Sequence, residues 1–164
     1  MMGLRLLLIA LFAALFSTQS IAQGASVAFG TIAQDTNLPV EVSSDELTVD
    51  QATGAAIFTG NVVIGQGEMR LSAQRVLVVY RATSDGIAKM EATGGVTIVS
   101  GPDAAESQRA DYSIDDGTIV MQGNVLLAQG KSALSADKMT IHLRDGTARM
   151  TGNVRTRLQT GGGN

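Results

Sequence analysis

The sequence has 164 residues, 45% of them hydrophobic and 16% charged, with a formal net charge of −3 and neither cysteine nor tryptophan. That length suits one domain. Without cysteine there are no disulfide staples, thiolate chemistry or cysteine metal sites, and the mild acidity excludes the strongly basic footprint of a nucleic-acid binder.

The chain opens like an export signal. Arg5 supplies a positive charge, Leu6 to Phe16 is an uncharged apolar run of 11 residues, and Ser20-Ile21-Ala22 offers small residues to a signal peptidase. The run is short of the ~20 residues that cross a bilayer. Residues 1–22 are therefore expected to be a signal peptide cleaved near Ala22, with an uncleaved anchor as the alternative. Residues 23–39 are small and polar with scattered apolar residues, and read as an irregular N-terminal arm ending at Pro39.

From there the sequence repeats. Phe58-Thr59-Gly60-Asn61-Val62-Val63-Ile64-Gly65-Gln66-Gly67 returns as Gly94-Gly95-Val96-Thr97-Ile98, as Gly123-Asn124-Val125-Leu126-Leu127-Ala128-Gln129-Gly130 and as Gly152-Asn153-Val154. The steps between leading glycines are 34, 29 and 29 residues. Small residues Ala73, Ser107 and Ala136 follow the first three glycines at 13 residues, each opening a polar-polar-apolar phrase, and Ser44-Asp45-Glu46-Leu47 is a further copy. The one longer step is expected to carry an insertion of five residues around Thr83-Ser84-Asp85-Gly86. A fixed period of this length is the signature of stacked structural repeats.

Within each repeat apolar residues alternate with polar ones, as in half-buried strands, and no helical period follows the leader. Thr53-Gly54, Asp85-Gly86, Asp116-Gly117 and Asp145-Gly146 supply hairpin chemistry between the runs. Superimposed repeats give apolar columns: Val42, Leu71, Ala105 and Leu134; Leu47, Val76, Ala110 and Met139; Val49, Val78, Tyr112 and Ile141; Val62, Val96, Val125 and Val154. Stacked repeats would join these columns into one apolar interior. Taken alone, such columns describe a packed core as readily as a ligand groove. The repeat glycines read as bends or close strand approaches. His142 has no second histidine or cysteine with which to bind metal, no serine lies in a nucleophile motif, and no phosphate-binding glycine loop is present, so neither an enzyme nor a cofactor is expected.

Charge is polarised along the chain, from −6 over residues 23–69 to −1 over 70–136 and +3 over 137–164. An unclosed stack exposes a strand edge at each end. The first edge is expected near Val40–Asp50, with Val40 and Val42 beside Glu41, Asp45, Glu46 and Asp50. The last is expected near Asn153–Leu158, with Arg155 and Arg157. Acidic and basic ends would favour head-to-tail joining.

The run Leu38-Pro39-Val40-Glu41-Val42-Ser43-Ser44-Asp45-Glu46-Leu47, with Phe58-Thr59-Gly60-Asn61-Val62, Gln66-Gly67 and Leu71-Ser72-Ala73, resembles the OstA-like, LptA family of periplasmic lipopolysaccharide-transport proteins. Gly123-Asn124-Val125 and Leu134-Ser135-Ala136-Asp137-Lys138 resemble its second half, so the likeness covers residues 38–158. Gly94-Gly95 in place of Gly-Asn, and Ser107 in place of alanine, depart from the pattern without losing register. The resemblance implies an all-β, open-ended β-jellyroll (a β-taco) of stacked antiparallel strands, here built from ~29-residue repeats over residues 40–158, with 159–164 a disordered tail. It implies that the lipid A acyl chains of lipopolysaccharide ride in the interior. It also implies that the protein bridges an inner-membrane anchored jellyroll and an outer-membrane barrel.

On that reading the groove would be lined by Leu47, Phe58, Val62, Ile64, Val76, Val78, Tyr80, Met121, Val125, Leu127, Met139 and Ile141. Methionine-rich, aromatic-poor walls adapt to irregular apolar guests. Three rivals remain: an inner-membrane-anchored relative, a structural β-polymer that binds no lipid, and a polysaccharide hydrolase. The hydrolase fits poorly, because its paired carboxylates and aromatic platforms are missing.

Overall fold

The computed structural model describes residues 25–28, 37–82 and 86–157. The leader, most of the arm, the centre of the expected insertion and the glycine tail lie outside these residues. Eleven strands form one sheet: β1 Ala25–Ala28, β2 Glu41–Ser43, β3 Glu46–Asp50, β4 Ala55–Gln66, β5 Met69–Tyr80, β6 Ile87–Ser100, β7 Asp103–Ser113, β8 Thr118–Gln129, β9 Ser132–His142, β10 Thr147–Thr151 and β11 Arg155–Arg157. Their order is β1-β10-β9-β8-β7-β6-β5-β4-β2, with β3 also paired to β4 and β11 also paired to β9. Every pairing is antiparallel.

The repeat motif sets the shape. β4 to β9 run 11 to 14 residues, about twice an ordinary strand. Each long pair breaks register at its middle, between Thr59 and Val62, Thr93 and Val96, and Gln122 and Val125. At these points two residues oppose one on the neighbouring strand, so Gly60-Asn61 faces Gln74 and Gly123-Asn124 faces Asp137. A two-against-one bulge bends a strand sharply. Both bulged residues are left-handed: Gly60 and Asn61 have φ of 78° and 46°, Gly94 and Gly95 of 87° and 86°, and Gly123 and Asn124 of 83° and 50°. Glycine and asparagine are the residues that tolerate this conformation.

The bend divides the sheet into two leaves. The first leaf holds β3, residues 55–59 of β4 and the strand halves in line with them, out to β10 and β1. The second holds β2, residues 62–66 of β4 and their counterparts, out to β11. At both ends of the stack the bend is pinned in the same way. The Asp45 amide donates to the Gly60 carbonyl at 3.0 Å and the Asp137 amide to the Gly152 carbonyl at 2.9 Å. Asn61 and Asn153 each donate from Nδ2 to the carboxylate of that same aspartate at 2.8 Å. In both cases the aspartate and the asparagine are 16 residues apart, around one hairpin. Ala73, Ser107 and Ala136, each just before the residue that faces a bulge (Gln74, Gln108 and Asp137), are buried at the bend.

The inner faces of the two leaves form one core. Phe58, Val76, Ala92, Ala110, Met121, Met139 and Met150 align across the first leaf, and Val42, Ile64, Leu71, Ile98, Ala105, Leu127 and Leu134 across the second.

Two expectations change. The arm over 23–39 is not irregular throughout, because Ala25–Ala28 is a strand on β10. It alternates Ala-Ser-Val-Ala, so Val27 faces inward opposite Ala148 and packs on the core. This places the N-terminal arm on the C-terminal edge of the first leaf, and the last edge of the stack is therefore shared by β1 and β11.

Candidate functional site

The site is the trough between the leaves. Of the residues expected to line it, Val62, Ile64, Val76, Val78, Met121, Val125, Leu127, Met139 and Ile141 lie on the inner face at 0–1% exposure. Phe58 is half-buried beside them. The interior is thus filled by its own side chains, and the leaves touch.

Two of the expected lining residues differ. Tyr80 is 42% exposed at the end of β5, where the register with β6 slips past Ala88 and the neighbouring strand no longer packs as it does beside Val76 and Val78. Leu47 shares the inner face with Phe58 but is 53% exposed, and Val49 is 58% exposed, because β3 is the outermost strand and, among the described residues, none lies beyond it. The trough therefore begins, at its N-terminal end, with bare apolar side chains continuous with the buried columns. At its C-terminal end Ala148 and Met150 are 1% and 0% exposed, and β1 lies beyond them.

The rim opposite the bend carries polar residues that period-two alternation did not single out. Tyr112, from the first leaf, donates its hydroxyl to Gln66 Oε1 of the second leaf at 2.7 Å, and both side chains are buried. Gln66 Nε2 in turn donates to the Leu38 carbonyl at 3.0 Å. Gln129, on the same rim, donates to Asp103 and to the Ala28 carbonyl. These bonds clasp the leaves together and tie both described stretches of the arm to the second leaf. Only the repetition of Gln-Gly at the end of two repeats hinted at them.

Burial pushes the Tyr112 hydroxyl up to about 12, partly offset by its bond to Gln66. Its folded value lies above the ordinary value of 10, so its contribution to stability is complete below pH 10 and is lost as pH rises through about 12. A spectrophotometric titration should find Tyr112 ionising only as the fold loosens. Tyr112→Phe should remove that step of the stability profile.

The expected edge residues fall at the ends of the stack. Val40 and Val42 are half-buried at the β2 edge, and Arg155 and Arg157 are exposed on β11. Asn153 is exposed but belongs to the last bend, where it bonds Asp137, and it lies outside the paired strand. Glu41, Asp45, Glu46 and Asp50 are all exposed at the first end. Hydrogen bonds from the Ala52 and Thr53 amides and the Thr53 side chain hold the Asp50 carboxyl below its ordinary value, so it is charged at neutral pH.

Nothing reactive gathers elsewhere. Asp111 pairs with Arg109, Asp115 pairs with Arg81, and Asp116 accepts a hydrogen bond from Ser113. His142 is exposed, with Nδ1 3.3 Å from the Thr118 hydroxyl. Among the described residues no group of three or more histidine, aspartate or glutamate side chains is placed to hold a metal. No described helix is long and apolar enough to cross a membrane.

Comparison with known proteins agrees with this geometry. An uncharacterized protein of Rhizobium meliloti is 27% identical over 118 residues, covering 68% of this chain and 63% of its own length. The lipopolysaccharide export system protein LptA of Escherichia coli K12 is 31% identical over 62 residues, 38% of this chain and 34% of LptA. The chain thus spans less than two thirds of the length of either relative. The crystal structure of LptH, described as the LptA-homologous periplasmic component of the lipopolysaccharide transport device of Pseudomonas aeruginosa, superimposes with a TM-score of 0.69. That match covers 77% of this chain and 99% of LptH at 15% identity, and so speaks to the fold. The family model described as LptA/(LptD N-terminal domain) LPS transport protein matches residues 41–147, from β2 to the first residue of β10, and the chain belongs to that family.

Proposed function

We propose that this chain is a periplasmic lipopolysaccharide carrier that shields lipid A acyl chains between its two leaves. The observation that carries the reading is the continuity of the inner face, from the bare Leu47 and Val49 of β3 into the buried columns of β4 to β10. Each buried methylene of an acyl chain contributes about 0.8 kcal/mol, so an aliphatic and methionine wall needs no polar anchor to hold one. The leaves are in contact without lipid, so loading requires them to part, which means breaking the Tyr112–Gln66 clasp. Acyl chains then replace the contacts that one leaf makes with the other. The chain carries out no covalent chemistry in this role, and energy for directed transport comes from partners.

On the same reading the chain joins partner jellyrolls end to end, with an inner-membrane anchored member on one side and an outer-membrane barrel on the other. Its acidic β2–β3 end and basic β11 end suit head-to-tail contact with each other and with such partners. The test combines two measurements on the exported protein. Titration with lipopolysaccharide should saturate, and sedimentation should show assemblies that become smaller as salt rises from low to high ionic strength. Assembly without saturable lipid binding would identify a structural polymer instead. Assemblies of unchanged size across the salt range would remove the electrostatic part of the joining.

A further inference from the structure

The two ends of the first leaf are not alike. At the N-terminal end β3 lies on β4, pairing Leu47 with Phe58 and Val49 with Ala56. At the C-terminal end β1 lies on β10, pairing Ala25 with Met150 and Val27 with Ala148. β10 is the last copy of the repeat of which β4 is the first: Met150 stands in the column of Phe58, and Ala148 in that of Ala56. Ala25-Ser26-Val27-Ala28 therefore occupies, on the last repeat, the position that Leu47-Thr48-Val49-Asp50 occupies on the first. Both strands run from the bend toward the rim, and both are apolar at the inner positions. β1 thus sits where the β3 of a second copy would continue the sheet, with alanine and valine in place of leucine and valine.

We propose that β1 is a displaceable cap on the C-terminal edge of the first leaf, and that its occupant in the assembled state is the β3 strand of a second copy of this chain. The proposal rests on the end-to-end joining argued above and adds its regulation. Three observations name the occupant. The register of β1 on β10 reproduces that of β3 on β4. β3 is fully exposed along its length and leaves its apolar side chains uncovered. β3 carries Glu46 and Asp50, while the receiving end carries exposed Arg149 and Arg155. β1 is only four residues long, and Val27 is its anchor in the core. It is therefore a weaker partner for β10 than the five-residue β3 with its leucine. While β1 is paired, the edge of β10 is covered and only a four-residue edge is offered in its place, which limits strand addition to the free protein at that end.

Two variants of the full chain test this in opposite directions. Val27→Asp removes the anchor and sets a charge against the core, which should release β1. It should assemble at about tenfold lower concentration than the parent, the order expected when one buried valine's contribution to a competing contact is lost. The pair Ser26→Cys with Arg149→Cys joins residues directly opposite on β1 and β10, at a separation that antiparallel partners share with disulfides, in a chain with no other cysteine. Oxidised, it should stay a single copy at concentrations where its own reduced form assembles. Sedimentation velocity across a concentration series reads both. Amide exchange at Thr147–Met150 in dilute Val27→Asp should be faster than in the parent and slow again on assembly. If the parent assembles but Val27→Asp does so no more readily, or if the oxidised pair assembles like the reduced one, the cap is overturned and the joining stands. If no variant assembles at any concentration, the cap and the joining fall together.

Discussion

Val125→Asp is expected to destabilise the fold by about 3–5 kcal/mol, whereas Leu126→Asp beside it should change stability by no more than about 0.5 kcal/mol. The two residues are neighbours on β8 and differ only in which face they occupy. Val125 is 1% exposed and pairs across to Ala136 just past the bend, in the part of the trough where the leaves are closest. Leu126 is 41% exposed on the outer face. A carboxylate at position 125 would be set among buried apolar side chains, so it must stay charged in an apolar setting or take up a proton at a cost. Chemical denaturation of the two variants gives the comparison directly. Domains of this size have a total stability of about 5–15 kcal/mol, so the first variant should lose much of its margin.

The adjacent glycines of the second bend allow an equally sharp comparison. Gly94 and Gly95 have nearly the same φ, 87° and 86°, so alanine at either position bears the same left-handed strain. Their surroundings differ: a Cβ on Gly94 would stand 2.8 Å from Gln74 Cβ, while one on Gly95 would meet nothing within 4 Å. A Cβ fixed to its own backbone cannot swing aside as a side-chain tip can. Gly95→Ala should therefore cost the strain alone, about 1–2 kcal/mol, and Gly94→Ala about 3 kcal/mol or more, since β5 must also move. Gly95→Asn should be close to neutral, because the other three bends carry asparagine there at φ of 46–50°. Equal costs for the two alanine variants would mean that strand approach plays no part in choosing glycine at the bend.

The bend also shows how much of the fold was legible in the sequence. Gly60-Asn61 and its copies announced a period, and the constant offset to the small-residue phrases fixed its register, because both follow from one local geometry repeated along the stack; the aspartate that holds the asparagine was not foreseen. Inner and outer faces were legible for the same reason: on β4, β6 and β8 the period of two carries across the bend, and on β5, β7 and β9 it shifts by one residue at the polar pair that each repeat places there. The ends were harder. Leu47 has the pattern of an interior residue, and it is exposed because no described strand lies beyond β3. Tyr80 has the pattern too, but it stands at the end of β5, where the register with β6 slips. Ala25–Ala28 is too short and too small to register as a strand by itself, and it is one only because β10 offers a bare edge. The Tyr112–Gln66 clasp joins residues 46 apart in sequence on opposite leaves, and alternation along a strand carries no information about the facing leaf.

On the proposed reading one fold serves both stability and lipid carriage. A trough whose own side chains fill it is stable when empty, and its aliphatic and methionine walls are the kind that repack around a guest. The rim bonds hold the closed form without covalent links, so the leaves can separate and close again. The bends, pinned at both ends of the stack by an aspartate and an asparagine, are the line about which they would turn.

The most direct measurement is photo-crosslinking to lipopolysaccharide from Val78 and Val125, one on the inner face of each leaf, with Thr48 on the outer face of β3 as the control. Heavy labelling from both inner positions and little from Thr48 is the predicted result, while equal labelling at all three would contradict a trough that holds lipid between its leaves.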